Sequence, residues 1–212
     1  MKSILYVLAL ISSSSAFAFG IDLVGGLNST TPNASYIGTL TATSSVDSGN
    51  GNEYGVLIEI GGGLFGFQTG ALFIKREETI ALTLSSNTVS IKTSWTALQI
   101  PMLVRIHPLP FLAIGVGAAV NMGQGDLSYD QKDPGNLSGG TKTGSESFDA
   151  FGQMKNDWVG VASAEIDVPL APMAHLILRA DYQQGLTNVD NSGSFNEKLN
   201  TITYMGGLGF AF

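Results

Sequence analysis

The feature that most restricts this chain is an alternation of period two in which one face of each segment is bulky and apolar, while the other carries all the ionised residues. Over Thr96–Ile106, for example, Leu98, Ile100, Met102, Val104 and Ile106 alternate with Gln99, Pro101, Leu103 and Arg105. Eight such segments recur: Gly20–Asn28, Tyr54–Gly61, Leu64–Ile74, Thr96–Ile106, Phe111–Gly123, Asp157–Val168, Ala174–Gln184 and Thr201–Phe212. Asp22, Glu59, Arg105, Glu165, Asp167, Arg179 and Asp181 all share a parity with small residues and glycines, opposite the bulky face. A soluble barrel has the reverse arrangement, with an apolar interior and charges outside. Bulk suits an unconfined lipid side, and small or paired charged groups suit a narrow lumen. An open sheet edge in lipid would leave backbone groups unpaired, so the sheet must close. The expected fold is an all-β, eight-stranded, antiparallel up-and-down transmembrane β-barrel.

The first residues, MKSILYVLALISSSSAFA, join Lys2, a short apolar run and Ala16-Phe17-Ala18, the layout of a secretory signal peptide over residues 1–18. The barrel domain is then 19–212. Its apolar stretches never approach the roughly 20 residues of a spanning helix. There is no cysteine, which excludes disulfides, thiolate metal sites and a cysteine nucleophile. A net charge of −7 offers nucleic acid no broad basic face.

Link lengths alternate. Short links fall at Gly61–Leu64, His107–Phe111 and Val168–Met173, and long ones at Ser29–Glu53, Lys75–Trp95, Gln124–Asn156 and Gly185–Asn200. Short turns belong to the periplasmic side and long loops to the exterior. The alternation persists through Ile80, Leu82, Leu84, Val89 and Ile91, so the third and fourth strands are expected to project as a hairpin around Ser86-Asn87. Tyr54, Trp158, Tyr182 and Tyr204 suit one interfacial girdle, and Phe65, Phe210 and Phe212 the other.

LQIPMLVRIHP followed by FLAIGVGAAV, then LILRADYQQGLTNV and TYMGGLGFAF, resembles the PorT-like and OmpX-like small outer-membrane β-barrels. That resemblance implies residence in a Gram-negative outer membrane. It also implies insertion by the barrel-assembly machinery, which would read Tyr204, Leu208, Phe210 and the terminal Phe212. The family brings no shared catalytic residues.

The inward charges Glu59, Arg105, Glu165, Asp167, Arg179 and Asp181 form the candidate lumen network, with Glu165 and Arg179 across from each other in adjacent strands. An eight-stranded barrel is just wide enough for its own side chains, so a salt-bridged plug is expected in preference to a conducting lumen. His107 and His175 sit near short turns without ligand spacing, and neither metal nor cofactor is expected. No histidine with a serine and a carboxylate occupies the outer rim, which argues against an enzyme. Asp126, Asp130 and Asp133 lack the pattern of a calcium loop and suit a solvated loop. The expected role is a monomeric outer-membrane scaffold, contacting lipid with its wall and presenting long loops for adhesion or envelope maintenance. A narrow channel for ions or small solutes is the alternative.

Overall fold

The computed structural model describes residues 18–36, 43–84, 87–136, 140–147, 156–189 and 195–212. The expected signal peptide lies outside these residues except for Ala18, which opens the first strand. Among the described residues nine strands follow in chain order: β1 Ala18–Tyr36, β2 Thr43–Gly62, β3 Phe65–Leu84, β4 Asn87–Leu109, β5 Leu112–Lys132, β6 Lys142–Ser147, β7 Asp157–Ala171, β8 Ala174–Gly185 and β9 Phe195–Ala211. Eight of them close a ring in the order β1-β2-β3-β4-β5-β7-β8-β9, every pair antiparallel. First and last strands are sealed down to the chain end, where Phe212 N donates to Phe19 O at 2.8 Å and Phe19 N to Phe212 O at 3.3 Å. Among the described residues β6 stands outside the ring, paired only with the outer half of β5.

The wall follows the period-two pattern. Leu23, Leu27, Tyr54, Val104, Val116, Leu178 and Tyr204 point outward and are exposed, while Asp22, Val24, Gln99, Arg105, Glu165 and Arg179 point inward and are buried. All seven aromatics assigned to the girdles are outward and exposed. Such an exterior is favourable only against hydrocarbon, and the closed ladder satisfies the backbone there. The lumen is not purely polar. Leu57, Leu72, Ile74, Val24, Ile177 and Met205 form one buried cluster, and Leu103, Ala119, Val159 and Val161 another.

Three tight turns lie at one end. Gly63 and Leu64 link β2 to β3, with Gly63 at φ 67°, a left-handed conformation that favours glycine. Pro110–Phe111 and Pro172–Met173 make the other two turns. Each turn is stitched to a neighbouring strand: His107 N donates to Leu64 O, Asp167 N to Phe111 O and Ala211 N to Met173 O. Within the wall, Pro101 has no N–H, and the β3–β4 register has a gap between Thr69↔Met102 and Leu72↔Gln99.

Beyond the apolar belt the structure departs from expectation. The links assigned to Ser29–Glu53 and Lys75–Trp95 are largely strand, and strand also enters those assigned to Gln124–Asn156 and Gly185–Asn200. The hairpin expected from Lys75–Trp95 is present, with β3 running to Leu84 and β4 starting at Asn87; residues 85 and 86 lie outside those described. Equally, β1 pairs with β9 out to Tyr36↔Phe195, and β5 continues against β4 to Ser90↔Lys132. Asp126 and Asp130 are therefore strand residues paired with β6, not members of a solvated loop. Asp133 is buried in the turn that follows, where its Oδ2 accepts from Gly140 N at 3.3 Å. Backbone ladders form irrespective of side-chain polarity, so strands outlast the apolar alternation that reveals them.

Candidate functional site: the barrel lumen

Closure brings inward residues of non-adjacent strands together across the axis. At the tight-turn end a continuous chain of charge-assisted bonds runs through the lumen. His107 Nε2 lies 3.1 Å from Glu59 Oε1, and Glu59 Oε2 lies 2.5 Å from Arg105 Nη1. Arg105 Nη2 reaches Glu165 Oε1 at 2.6 Å. Glu165 and Arg179 are register partners, with Glu165 Oε2 3.2 Å from Arg179 Nη1, and Arg179 Nε donates to Asp181 Oδ1 at 2.8 Å. Arg179 also donates to Gln68 Oε1 on β3. Both arginines are almost wholly buried, at 1% and 4% exposure for Arg105 and Arg179, so their charge is balanced by protein partners rather than by water.

Glycines make room for this chain. A Cβ at Gly66 would stand 2.5 Å from Glu59 Oε1, and one at Gly115 would collide with Ser163 Oγ beside the Arg105 stem. At the rim, a Cβ at Gly209 would strike His175, whose Nε2 lies 3.5 Å from Asp22 Oδ1 and 3.7 Å from Asp167 Oδ1. Of the six charges singled out from the sequence, Glu59, Arg105, Glu165, Arg179 and Asp181 are thus contiguous, while Asp167 belongs to a separate group with His175 and Asp22.

A second network, made mostly of amides, closes into a loop of five side chains from five strands. Arg76 Nη1 lies 3.5 Å from Asp157 Oδ1, and Arg76 Nη2 donates to Gln183 Oε1 at 3.4 Å. Gln99 Nε2 donates to Gln183 Oε1 at 2.9 Å and to Asn121 Oδ1 at 2.8 Å. Asn121 Nδ2 then donates to Asp157 Oδ2 at 3.0 Å, completing the circuit. Sequence reading missed this loop, although Gln99, Asn121 and Gln183 share the inward parity of the charges. Arg76 lies just past the apolar segment of its strand, where parity was not followed. The outer end of the wall is packed by a third apolar cluster of Trp95, Leu127, Val189 and Leu199, with Tyr129 against it.

On the outside of the β3–β4 extension, Glu77 is paired with Lys92 at 2.9 Å and Lys75 at 3.4 Å. The hydrogen bond from Lys92, aided by the one from Lys75, outweighs slight desolvation and holds the Glu77 carboxyl below its usual range. Tyr204, Leu208, Phe210 and Phe212, the expected insertion signal, share the outward face of the closing strand and its end.

No family model matches the chain, and no curated protein matches it. Solved structures with a similar course include Ail, the attachment invasion locus protein of Yersinia pestis, at 10% identity over 92% of this chain and 99% of that one, with a TM-score of 0.40. The outer membrane protein OprG from Pseudomonas aeruginosa aligns at 14% identity over 93% and 96%, with a TM-score of 0.44. The outer membrane protease OmpT from Escherichia coli aligns at 10% identity over 94% and 98%, with a TM-score of 0.43. At such identities and scores the barrel assignment rests on the strand registers described above.

Proposed function

We propose that this chain is an integral, non-enzymatic outer-membrane protein of the small OmpX-like and PorT-like kind, whose filled barrel is a scaffold. Its outer strand extensions then face the exterior in an adhesion or envelope role. The observation that carries this reading is the crossing of the lumen by Arg105 and Arg179, each shared between carboxylates of different strands, which leaves the axis occupied by the protein's own side chains. Both histidines lie beside the tight turns, at the end opposite the strand extensions, which supports a wall without hydrolytic machinery at the outer rim. The terminal aromatic and the outward Tyr204, Leu208 and Phe210 suit recognition by an assembly machinery during insertion.

Purified protein reconstituted in planar bilayers tests the plug directly. A filled barrel gives no steady unitary current, and sustained open currents would overturn the scaffold reading. A narrow cation channel is the second reading, favoured by the excess of inward carboxylates: Asp22, Glu53, Glu59, Asp157, Glu165 and Asp181 outnumber Arg76, Arg105 and Arg179. Reversal potentials in a salt gradient would then show cation selectivity.

A further inference from the structure

Each inward arginine is paired with a carboxylate, whereas the buried carboxylate of Glu53 stands apart from these pairs. Glu53 on β2 is 1% exposed, and none of the ion pairs among the described residues includes it. Its Oε2 accepts one hydrogen bond, from Thr203 Oγ1 at 3.0 Å, and its Oε1 has no donor. Asn28 on β1, also buried, repeats the situation: Nδ2 donates to Lys75 O at 3.1 Å, while Oδ1 has no donor. The registers bring these groups together. Thr203 pairs with Asn28, Asn28 with Gly51, and Gly26 with Glu53. Glu53 therefore reaches over the bare Gly26 position to its bond on β9, passing beside Asn28. Gly51 keeps the far side clear, since a Cβ there would come within 2.8 Å of Asn28 Oδ1.

Two bare acceptor oxygens, one of them on a carboxylate, cannot satisfy each other, and a desolvated carboxylate with a single neutral donor is strongly unfavourable. A positive charge between them, a proton on the carboxyl or a bound cation, would satisfy both. The available ligands are all oxygen: carboxylate, amide, hydroxyl and the Lys75 carbonyl. That set selects a hard cation over a transition metal. Calcium and magnesium draw on more charge than one free carboxylate supplies, and the neighbouring Asp181 is already bonded to Arg179. We propose that Glu53 and Asn28, supported by Thr203, form a buried site for a monovalent alkali cation inside the outer half of the barrel.

The test compares the full barrel in detergent with its Glu53→Gln variant, which preserves the shape and the Thr203 partner. Thermal unfolding is followed by loss of the compact gel form, replacing choline chloride by sodium or potassium chloride at constant ionic strength and pH. The wild type should gain on the order of 5 °C with saturating alkali cation, and the variant nothing. An equal gain in both marks a general salt effect and overturns the site. No gain in the wild type also overturns it. Should Glu53→Gln fail to fold, sodium-23 relaxation on the wild type decides: saturable broadening displaced by potassium supports the site, and a buffer-like linewidth refutes it.

Discussion

The two polar networks of the lumen occupy the same barrel yet are built on different principles. Near the tight turns, two arginines serve Glu59, Glu165 and Asp181 in a chain whose every link is charged. In the Arg76 loop, Gln183, Gln99 and Asn121 share out hydrogen bonds around a single, looser ion pair. The difference lies in what remains after damage. Removing Arg105 takes a charged partner from two carboxylates at once, leaving Glu59 with His107 and Glu165 with Arg179 alone, whereas removing an amide from the loop leaves neutral dipoles short of a partner. The first network behaves as a unit and the second degrades by steps.

Arg105→Ala is the sharpest way to break this contrast. It should cost about 3–5 kcal/mol in urea unfolding from lipid vesicles, because Glu59 and Glu165 lose their shared partner together. Replacing the Glu59–Arg105–Glu165 triad with apolar residues of similar volume should recover most of that loss. A single-variant cost no greater than that of a loop amide would remove the distinction. Next in size is the outward Leu178, where Leu178→Arg should cost about 2–4 kcal/mol by setting a charge against acyl chains. The same change made at a lumen position would not report on lipid.

Gln99→Leu should follow at about 1–3 kcal/mol, the loss expected when Asn121 and Gln183 each lose a buried partner. Stability at a series of pH values then separates the networks from the outer surface. Lys92→Ala should change stability by less than about 1 kcal/mol, and less still in high salt. Because the folded Glu77 carboxyl sits below its usual range, its contribution is complete above the ordinary carboxylate pKa and fades as pH falls through the lowered value. In Lys92→Ala that acid-side dependence should shrink, which a pH series of hairpin proteolysis would show.

How legible was all this before folding? Eight ring strands and their facing were readable, because a side chain's face depends only on its parity and the belt contrasts leucine or valine with glycine or charge. Strand ends were not. Ser29–Tyr36 and Thr43–Asn52 are mostly polar or small, with no run of alternating bulky apolar residues, so the contrast disappears while the backbone ladder continues. β6 escaped notice for the same reason, since Lys142–Ser147 has no apolar face at all. Gln99, Asn121 and Gln183 had the right parity but no charge to single them out, and Glu53 fell within a link rather than a strand.

Taken alone, the order of residues determined which side of each strand meets hydrocarbon, since that is a local property of alternating Cβ directions in a solvent with no hydrogen-bonding capacity. Only the closed ring decided which acid meets which base, that Asp167 joins His175 and Asp22 instead of the arginines, and that Glu53 is left with Thr203. Partnerships across the axis depend on the stagger accumulated around all eight strands, and no single strand encodes that stagger.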